Sequence, residues 1–258
     1  MQQDQAEHRW PKPKPRAWQN DDMRLGIIAE IHANLPALEA ALEALRKEGV
    51  EQVLAVGDLV GYGPHPRQVI RKLDREGIPC VPGATDLRVA YALPTPPREG
   101  IAEITITWTR EQLGTREMQF LRNLRPRHRH EAPGGRLMAF HGSPEDPEHK
   151  FDLNEAHPQE ILKMLESIRS RYAVVAGRHI PFRRVVHKGV VFDPGSVGLS
   201  LGGEPGADVL ILEDDIRGEI HHRFLKLSYD YGQVAFDLAA WGLPVVLAEV
   251  VRQGRFPQ

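Results

Sequence analysis

Acids and imidazoles recur in this chain just past short apolar runs, each time beside glycine, proline or another small residue. Glu30 and His32 lie in "AEIHAN", Asp58 in "VGDLVG", Asp86 in "PGATD", His141 in "AFHGSP" and His179 in "AGRHIPF". Carboxylates and imidazoles gathered at strand ends are what divalent first-row metals bind, and a pair of such ions can activate water and clamp phosphate oxygens. Each alone has a blander explanation, a helix-capping acid or a surface histidine. Their ordered succession points instead to one metal-binding crevice. The centre of "VPGATD" runs against this chemistry: Ala84 offers no ligand atom, and the Thr85 hydroxyl titrates far too high to serve as a general acid at neutral pH.

The elements that must position these residues follow from periodicity. "MRLGIIAE" reads as a strand, and "LPALEAALEALRKEG" as a helix with proline in its first turn and a stop at Gly49. "VLAV" repeats the strand, a glycine-rich turn follows, and "PRQVIRKLDREG" is the next helix. "IPCVPGATD" reads as a third strand and loop. The stretch from Ile101 to Leu124 suits two amphipathic helices despite the β-branched "ITIT". The second half opens with the strand "GRLMAF" and a helix near "PQEILKMLESIRSR". The β runs "YAVVAG", "RRVVHKGVVFDPGS", "ADVLILEDD" and "EIHHRFLKLS" follow, and a helix around "QVAFDLAAW" closes the chain. Strand–helix alternation followed by hairpins predicts two sheets packed face to face with helices outside, their strand-end loops converging.

With 258 residues and 41% apolar content the chain can bury one sizeable core. A net charge of -2 indicates neither nucleic acid nor a membrane surface as partner. Cys80 is the lone cysteine, which excludes an internal disulfide and a Cys-based zinc site and fits a reducing compartment. No apolar run is long enough to span a bilayer, and the start lacks the apolar core of a signal peptide, so a cytoplasmic location is expected. "PKPKP" favours extended polyproline conformations, and residues 1–22 are expected to form a flexible arm in front of a domain spanning 23–258. Lys12, Lys14 and Arg16 give that arm at most a weak contact to an anionic partner. Nothing in the sequence sets an oligomeric state.

Taken together, "GIIAEIHANLPALEAAL", "GDLVGYGPHP", "PGATD", "HGSP", "HIPF" and "DPGSVG" resemble the calcineurin-like metallophosphoesterases, in particular the bacterial small phosphodiesterase branch. The order and spacing of that family's motifs are kept over most of the chain. The resemblance implies an α/β fold, a four-layer α/β/β/α sandwich of two mixed sheets. It also implies a two-metal centre acting on phosphate esters.

Carried over residue by residue, His32 and Asp58 match an imidazole ligand and the bridging aspartate, and His179 matches the last histidine of Gly-His-Thr-His. Glu30 stands where the first metal's aspartate is usual. His141 matches a ligand of the second metal, but Ala84 replaces that metal's asparagine. Its other imidazole is replaced by Gly177 or by Arg178, depending on how "AGRH" is aligned. Thr85 stands where the family has the histidine that protonates the leaving oxygen, which leaves Asp86 without the partner it would orient. His65, His149, His157, His187, His221 and His222 are further imidazoles with no spacing argument behind them.

The reading that results is a degraded centre holding at most one divalent ion, with Mn, Fe, Zn and Ni not distinguished. It would bind a phosphate-containing ligand and hydrolyse it weakly or not at all. The rival is an active phosphodiesterase or phosphatase in which Arg178, a permanent cation whose fork matches phosphate oxygens, stands in for the second ion. A protein with no ligand at all ranks last, since it would make His32, Asp58, His141 and His179 accidental.

Overall fold

The structure is a computed structural model that describes residues 10, 24–94, 100–132, 135–149, 156–187, 189–214 and 220–257. The first half runs β1 (Arg24–Ile28), α1 (Leu35–Lys47), β2 (Gln52–Val56), α2 (Pro66–Glu76), β3 (Cys80–Val81) and α3 (Ala84–Tyr91). Helices α4 (Gly100–Gln112) and α5 (Thr115–Arg122) follow. Then come β4 (His128–Ala132), β5 (Gly135–Ala139), α6 (Pro158–Ser167), β6 (Tyr172–Val174), β7 (Pro181–Val186), β8 (Gly189–Pro194), β9 (Ala207–Asp214), β10 (Ile220–Leu227), α7 (Tyr231–Ala240) and α8 (Val245–Gln253).

Helix α1 shows how local signals set these elements. The Asn34 side chain accepts a hydrogen bond from the Ala37 N–H at 3.1 Å, and Pro36 lies in the first turn, where no intrahelical N–H is missed. Ala37, Leu38, Ala41, Leu42 and Leu45 form the buried stripe. Gly49 follows the helix with a left-handed φ of 70°, which glycine adopts without a Cβ penalty. Threonines fit α4 because Thr105 turns its hydroxyl back to the Ile101 carbonyl at 2.9 Å.

One sheet has the order β10-β9-β1-β2-β3 and the other β4-β5-β6-β8-β7. Strands β1, β2 and β3 are parallel, as are β5, β6 and β8; β9, β10, β4 and β7 run antiparallel to their neighbours. The inner faces meet in a core that includes Ile27, Leu54, Val56, Leu137, Val174 and Phe192. Leu38 and Leu42 of α1 and Ile70 and Leu73 of α2 pack on the outer face of the first sheet, and Ile161 and Leu165 of α6 on that of the second. This is the expected four-layer sandwich of two mixed sheets. Burial of these apolar faces, at roughly 25 cal/mol per Å² removed from water, is its main driving term.

Three elements depart from the sequence reading. "ATD" is the first turn of α3 and not a loop, because Asp86 at the third position accepts the N–H of the capping Gly83 at 2.9 Å. The chain closes with a second helix, α8, whose valine-rich "VVLAEVVRQ" has poor helical propensity. It is held by burial of Leu247, Val250 and Val251 and by Gly254 in a left-handed cap. Strand β4 has little apolar alternation and exists through its pairing with β5. Of the expected arm, only Trp10 lies within the described residues. Its indole is buried beneath the Arg46 guanidinium, 5.2 Å from the ring centroid, and the Trp10 backbone N–H donates to the Glu76 carbonyl at 3.1 Å.

Candidate metal centre

All five acid and imidazole positions lie just beyond the carboxyl ends of parallel strands. Glu30 and His32 follow β1, Asp58 follows β2, His141 follows β5 and His179 follows β6. Because β1 and β2 of one sheet, and β5 and β6 of the other, are parallel to each other, the loops after them open on one crevice. The turns are tight enough to force unusual backbone: φ is 51° at Glu30, 46° at His32, 50° at Asp58 and 62° at His179. Non-glycine residues in this region cost roughly 1–3 kcal/mol each and persist only where the surroundings over-determine them. Here the surroundings are backbone hydrogen bonds that lace the loops together, Glu30 N–H to the Gly57 carbonyl at 3.0 Å and His32 N–H to the Asp58 carbonyl at 2.9 Å. Gly57 and Gly83 allow the closest approaches. A Cβ on Gly57 would collide with the His141 ring, and one on Gly83 with the Asp58 carboxylate.

Glu30 occupies the middle of the crevice. Its Oε1 lies 2.8 Å from His141 Nε2, and its Oε2 lies 2.9 Å from His32 Nε2 and 3.2 Å from His179 Nε2. Asp58 Oδ2 stands 3.7 Å from His141 Nε2 and 3.9 Å from His32 Nε2. The His32 and His179 rings stack with centroids 5.0 Å apart, and Tyr62 meets His32 edge-on. Two groups have ligand atoms all within 4.8 Å of one another: Glu30, His32 and His179, and Glu30, Asp58 and His141. The residue common to both is Glu30, not Asp58, to which the resemblance gives the bridging role. The extra methylene of glutamate carries its carboxylate to the point where the three imidazoles meet.

Two of the imidazoles are oriented so that Nε2 could serve as a ligand atom. His141 Nδ1 faces the Pro147 carbonyl at 2.7 Å and His179 Nδ1 faces the Leu199 carbonyl at 2.8 Å. A carbonyl only accepts, so each Nδ1 carries the proton and each Nε2 turns to the crevice, the outer bond that fixes a metal-binding histidine. His32 also turns its Nε2 inward, and its buried Nδ1 has no hydrogen-bond partner among the described residues. Carboxylates, preset imidazoles and close ligand atoms fit a divalent first-row cation.

The electrostatics reflect close packing of opposite charges. Burial alone would raise Glu30, but the charges of His179 and His141 and the hydrogen bonds from His141 and His32 hold its carboxyl well below the usual range. Burial would lower His141, yet the carboxylates of Asp58 and Glu30 hold its imidazole up at about 10. His32 is raised in the same way, against its burial, by Glu30 and Asp58. His179 is lowered, chiefly by burial.

The substituted stretch has acquired other bonds. The Thr85 hydroxyl donates to the Val60 carbonyl at 2.8 Å, and the Thr85 N–H donates to Asp58 Oδ1 at 2.9 Å. Asp86, without the histidine it would orient, accepts N–H groups from Leu59 at 3.1 Å, Val60 at 3.0 Å and Gly83 at 2.9 Å. It therefore ties the β2 loop to the start of α3. Burial and the Asp58 charge push its carboxyl up to about 7, against these three donors.

Of the alternatives for the missing imidazole, Gly177 abuts His141: a Cβ there would lie 3.8 Å from its Cε1. Arg178 is half-buried, and its positive charge acts on Asp193. Sequence reasoning missed Asp193, a buried carboxyl pushed well above its ordinary value by burial and lying within reach of the Glu30 and His141 charges. The quoted "DPGSVG" contained it as framework only. Among the additional histidines, His65 pairs with Asp237 at 2.9 Å and His222 packs between Phe192 and Phe224. None of the six joins a candidate group among the described residues.

Residues 23–215 match the calcineurin-like phosphoesterase superfamily domain. The chain is 25% identical over 247 residues to an uncharacterized protein of Methanocaldococcus jannaschii, covering 90% of this chain and 98% of that protein. It is 26% identical over 204 residues to phosphodiesterase YfcE of Escherichia coli, covering 75% and 89%. The crystal structure of a metallophosphoesterase from Sphaerobacter thermophilus superposes with a TM-score of 0.74 at 24% identity, over 91% of this chain and all of that one. A hypothetical protein from Pyrococcus horikoshii gives 0.78 at 23% identity, with the same coverage. With the family match spanning most of the sequence and these folds superposing along it, the chain belongs to the calcineurin-like phosphoesterase superfamily.

Proposed function

We propose that this chain binds one divalent metal ion firmly and a phosphate-ester ligand beside it, and turns that ligand over slowly or not at all. The observation that carries this reading is the position of Glu30 in both candidate ligand groups. One carboxylate shared by both groups leaves each with only two ligands of its own, His32 and His179 in one and Asp58 and His141 in the other. Ala84 and Thr85 support the same conclusion, since one has no ligand atom and the other donates its hydroxyl to a backbone carbonyl.

When bound, the ion would supply Lewis acidity toward a phosphate oxygen. Glu30, His32 and His179, with Asp58 and His141 opposite, are the residues that would hold it. The chain's own contribution is then orientation: Nε2 atoms preset by backbone carbonyls and a helix N-terminus, that of α3, at Asp58. Thr85, which stands where the family's proton donor is expected, gives its hydroxyl to the Val60 carbonyl, and general acids typically supply ~10²–10⁴ in rate. A phosphoester hydrolase lacking one is expected to be slow. This agrees with kinship to a phosphodiesterase without requiring that activity here.

The experiment is metal analysis of protein purified without chelator, joined to turnover of an aryl phosphodiester with added manganese. One equivalent of metal with near-background turnover is expected. Two tightly held equivalents, or turnover of roughly 1–10³ per second, would overturn the reading.

A second reading, a working hydrolase using a single ion and Arg178, is favoured by the half-buried guanidinium acting on Asp193 at the crevice wall. Arg178→Ala should then weaken phosphate binding by roughly 1.5–3 kcal/mol, the range of a charge-assisted hydrogen bond. Unchanged phosphate affinity in a folded variant removes Arg178 from the site.

A further inference from the structure

Arg88 follows Ala84 by one turn of α3, and helical side chains lean toward the helix N-terminus. Its guanidinium is therefore carried back toward the end of the helix that faces the crevice. The side chain is only 7% exposed, and its Nη2 lies 2.8 Å from Oε2 of Glu148, which is 47% exposed on the loop after β5. Each end of this ion pair stands one step from a candidate ligand. On the helix side, the first turn of α3 holds Asp58 through the Thr85 N–H at 2.9 Å. On the loop side, Pro147 precedes Glu148 and its carbonyl takes the His141 Nδ1 proton at 2.7 Å.

Hydrogen bonds brace the loop between His141 and Glu148. Ser143 N–H donates to the Asp146 carbonyl at 2.8 Å, and Glu148 N–H donates to Asp146 Oδ1 at 2.9 Å. A displacement of Glu148 thus moves the Pro147 carbonyl and with it the His141 ring. Holding an arginine out of water is costly unless the charge is met by a close partner. An apolar side chain would fill the same space on α3 without that cost, so the pair points to a positional task.

We propose that the Arg88–Glu148 ion pair is the positioning element of the Glu30, Asp58 and His141 group. It sets the separation between the helix that holds Asp58 and the turn that holds His141. This rests on reading those three residues as metal ligands. Arg88 touches no reacting atom in this arrangement and acts through its neighbours.

The test uses the full chain as wild type, Arg88→Met, Arg88→Lys and Glu148→Gln, each stripped of metal and titrated with manganese by calorimetry, with thermal midpoints recorded alongside. Glu148→Gln and Arg88→Met are expected to weaken manganese binding 10–100-fold, as loss of outer-shell partners does. Arg88→Lys should recover part of the loss. A lowered thermal midpoint with unchanged manganese affinity in both single variants overturns the proposal, because a purely structural ion pair would behave that way. Should Arg88→Met fail to fold, Glu148→Gln decides alone, since its side chain is half exposed.

A wild type that takes up no manganese overturns the metal reading separately. The ion pair is then decided in the metal-free protein by the His141 Nδ1 proton in NMR spectra. A slowly exchanging resonance that is lost in Glu148→Gln supports the proposal, and one left unchanged overturns it.

Discussion

Glu30 Oε1 and His141 Nε2 face each other at 2.8 Å although the two residues lie 111 positions apart and on loops of different sheets. His141 Nδ1 also faces an acceptor, the Pro147 carbonyl. Both ring nitrogens therefore donate, and the metal-free imidazole is a cation in contact with a buried carboxylate.

Removing the anion from this contact leaves that charge with Asp58 Oδ2, 3.7 Å away, as its remaining carboxylate. Glu30→Ala is expected to lower the unfolding free energy of the metal-free protein by roughly 3–5 kcal/mol, the range for breaking a buried pair by deleting one partner. Chemical denaturation in the presence of a chelator measures it, and a loss below about 1 kcal/mol would show that the contact contributes little.

The same pair sets a pH dependence. The folded value of His141, about 10, lies above its ordinary 6.5, so its contribution is fully present below 6.5 and is lost as pH rises through 10. Glu30 has a folded value well below its ordinary 4.5, so its contribution is present above 4.5 and is lost only as pH falls through that lowered value. Metal-free protein should therefore lose stability between pH 6.5 and 10, and His141→Ala should flatten that slope. Denaturation midpoints across this window, with chelator present, decide it.

Restoring the family pattern at two positions should not restore activity. In Ala84→Asn plus Thr85→His, the new imidazole must displace a buried threonine that donates its hydroxyl to Val60, while the imidazole missing near Gly177 stays missing. Metal clamp and proton donor act as a unit, so partial repair leaves the barrier high. Turnover of an aryl phosphodiester is expected to stay within about tenfold of the unmodified protein; a rise toward ordinary enzyme rates would refute this.

Asp86 is expected to matter for stability and not for proton transfer. Asp86→Asn turns an amide N–H₂ toward backbone N–H groups and leaves at least one of three buried donors unpaired. The expected cost is about 1–3 kcal/mol. Thermal unfolding with metal content measured in parallel separates this from a direct effect on the ion.

The seating of Trp10 is testable by removing its indole. Trp10→Ala should cost up to ~3 kcal/mol, the lower end for deleting a buried tryptophan, since the site is at the periphery of the core. A change below 0.5 kcal/mol would mean that the indole is held only loosely against α1 and α2.

Legibility followed locality. Helices α1 and α2 and most strands could be read because caps, turn glycines and apolar periodicity lie within a few residues of one another. Strand β4 and helix α8 could not, because pairing with β5 and burial of Leu247 and Val250 override their weak local signals. The meeting of Glu30, His32, Asp58, His141 and His179 was readable from their places after parallel strands. That Glu30 sits at the centre was not, since one methylene decides it only once the opposing imidazoles have coordinates. What holds Asp86 was not legible for a related reason: its partners are backbone N–H groups, which residue types do not reveal.

The lacing of the crevice has a mechanical consequence. Glu30, His32 and Asp58 ride on one sheet and His141 and His179 on the other, so the Glu30–His141, Glu30–His179 and Asp58–His141 contacts cross the seam between the two halves of the sandwich. Shear along that seam strains these contacts, and anything lodged among these side chains acts as a rivet against it. A ligand that is never chemically altered would still slow the parting of the halves and lengthen the lifetime of the folded chain. The crevice can thus serve as a latch on unfolding whatever its catalytic power.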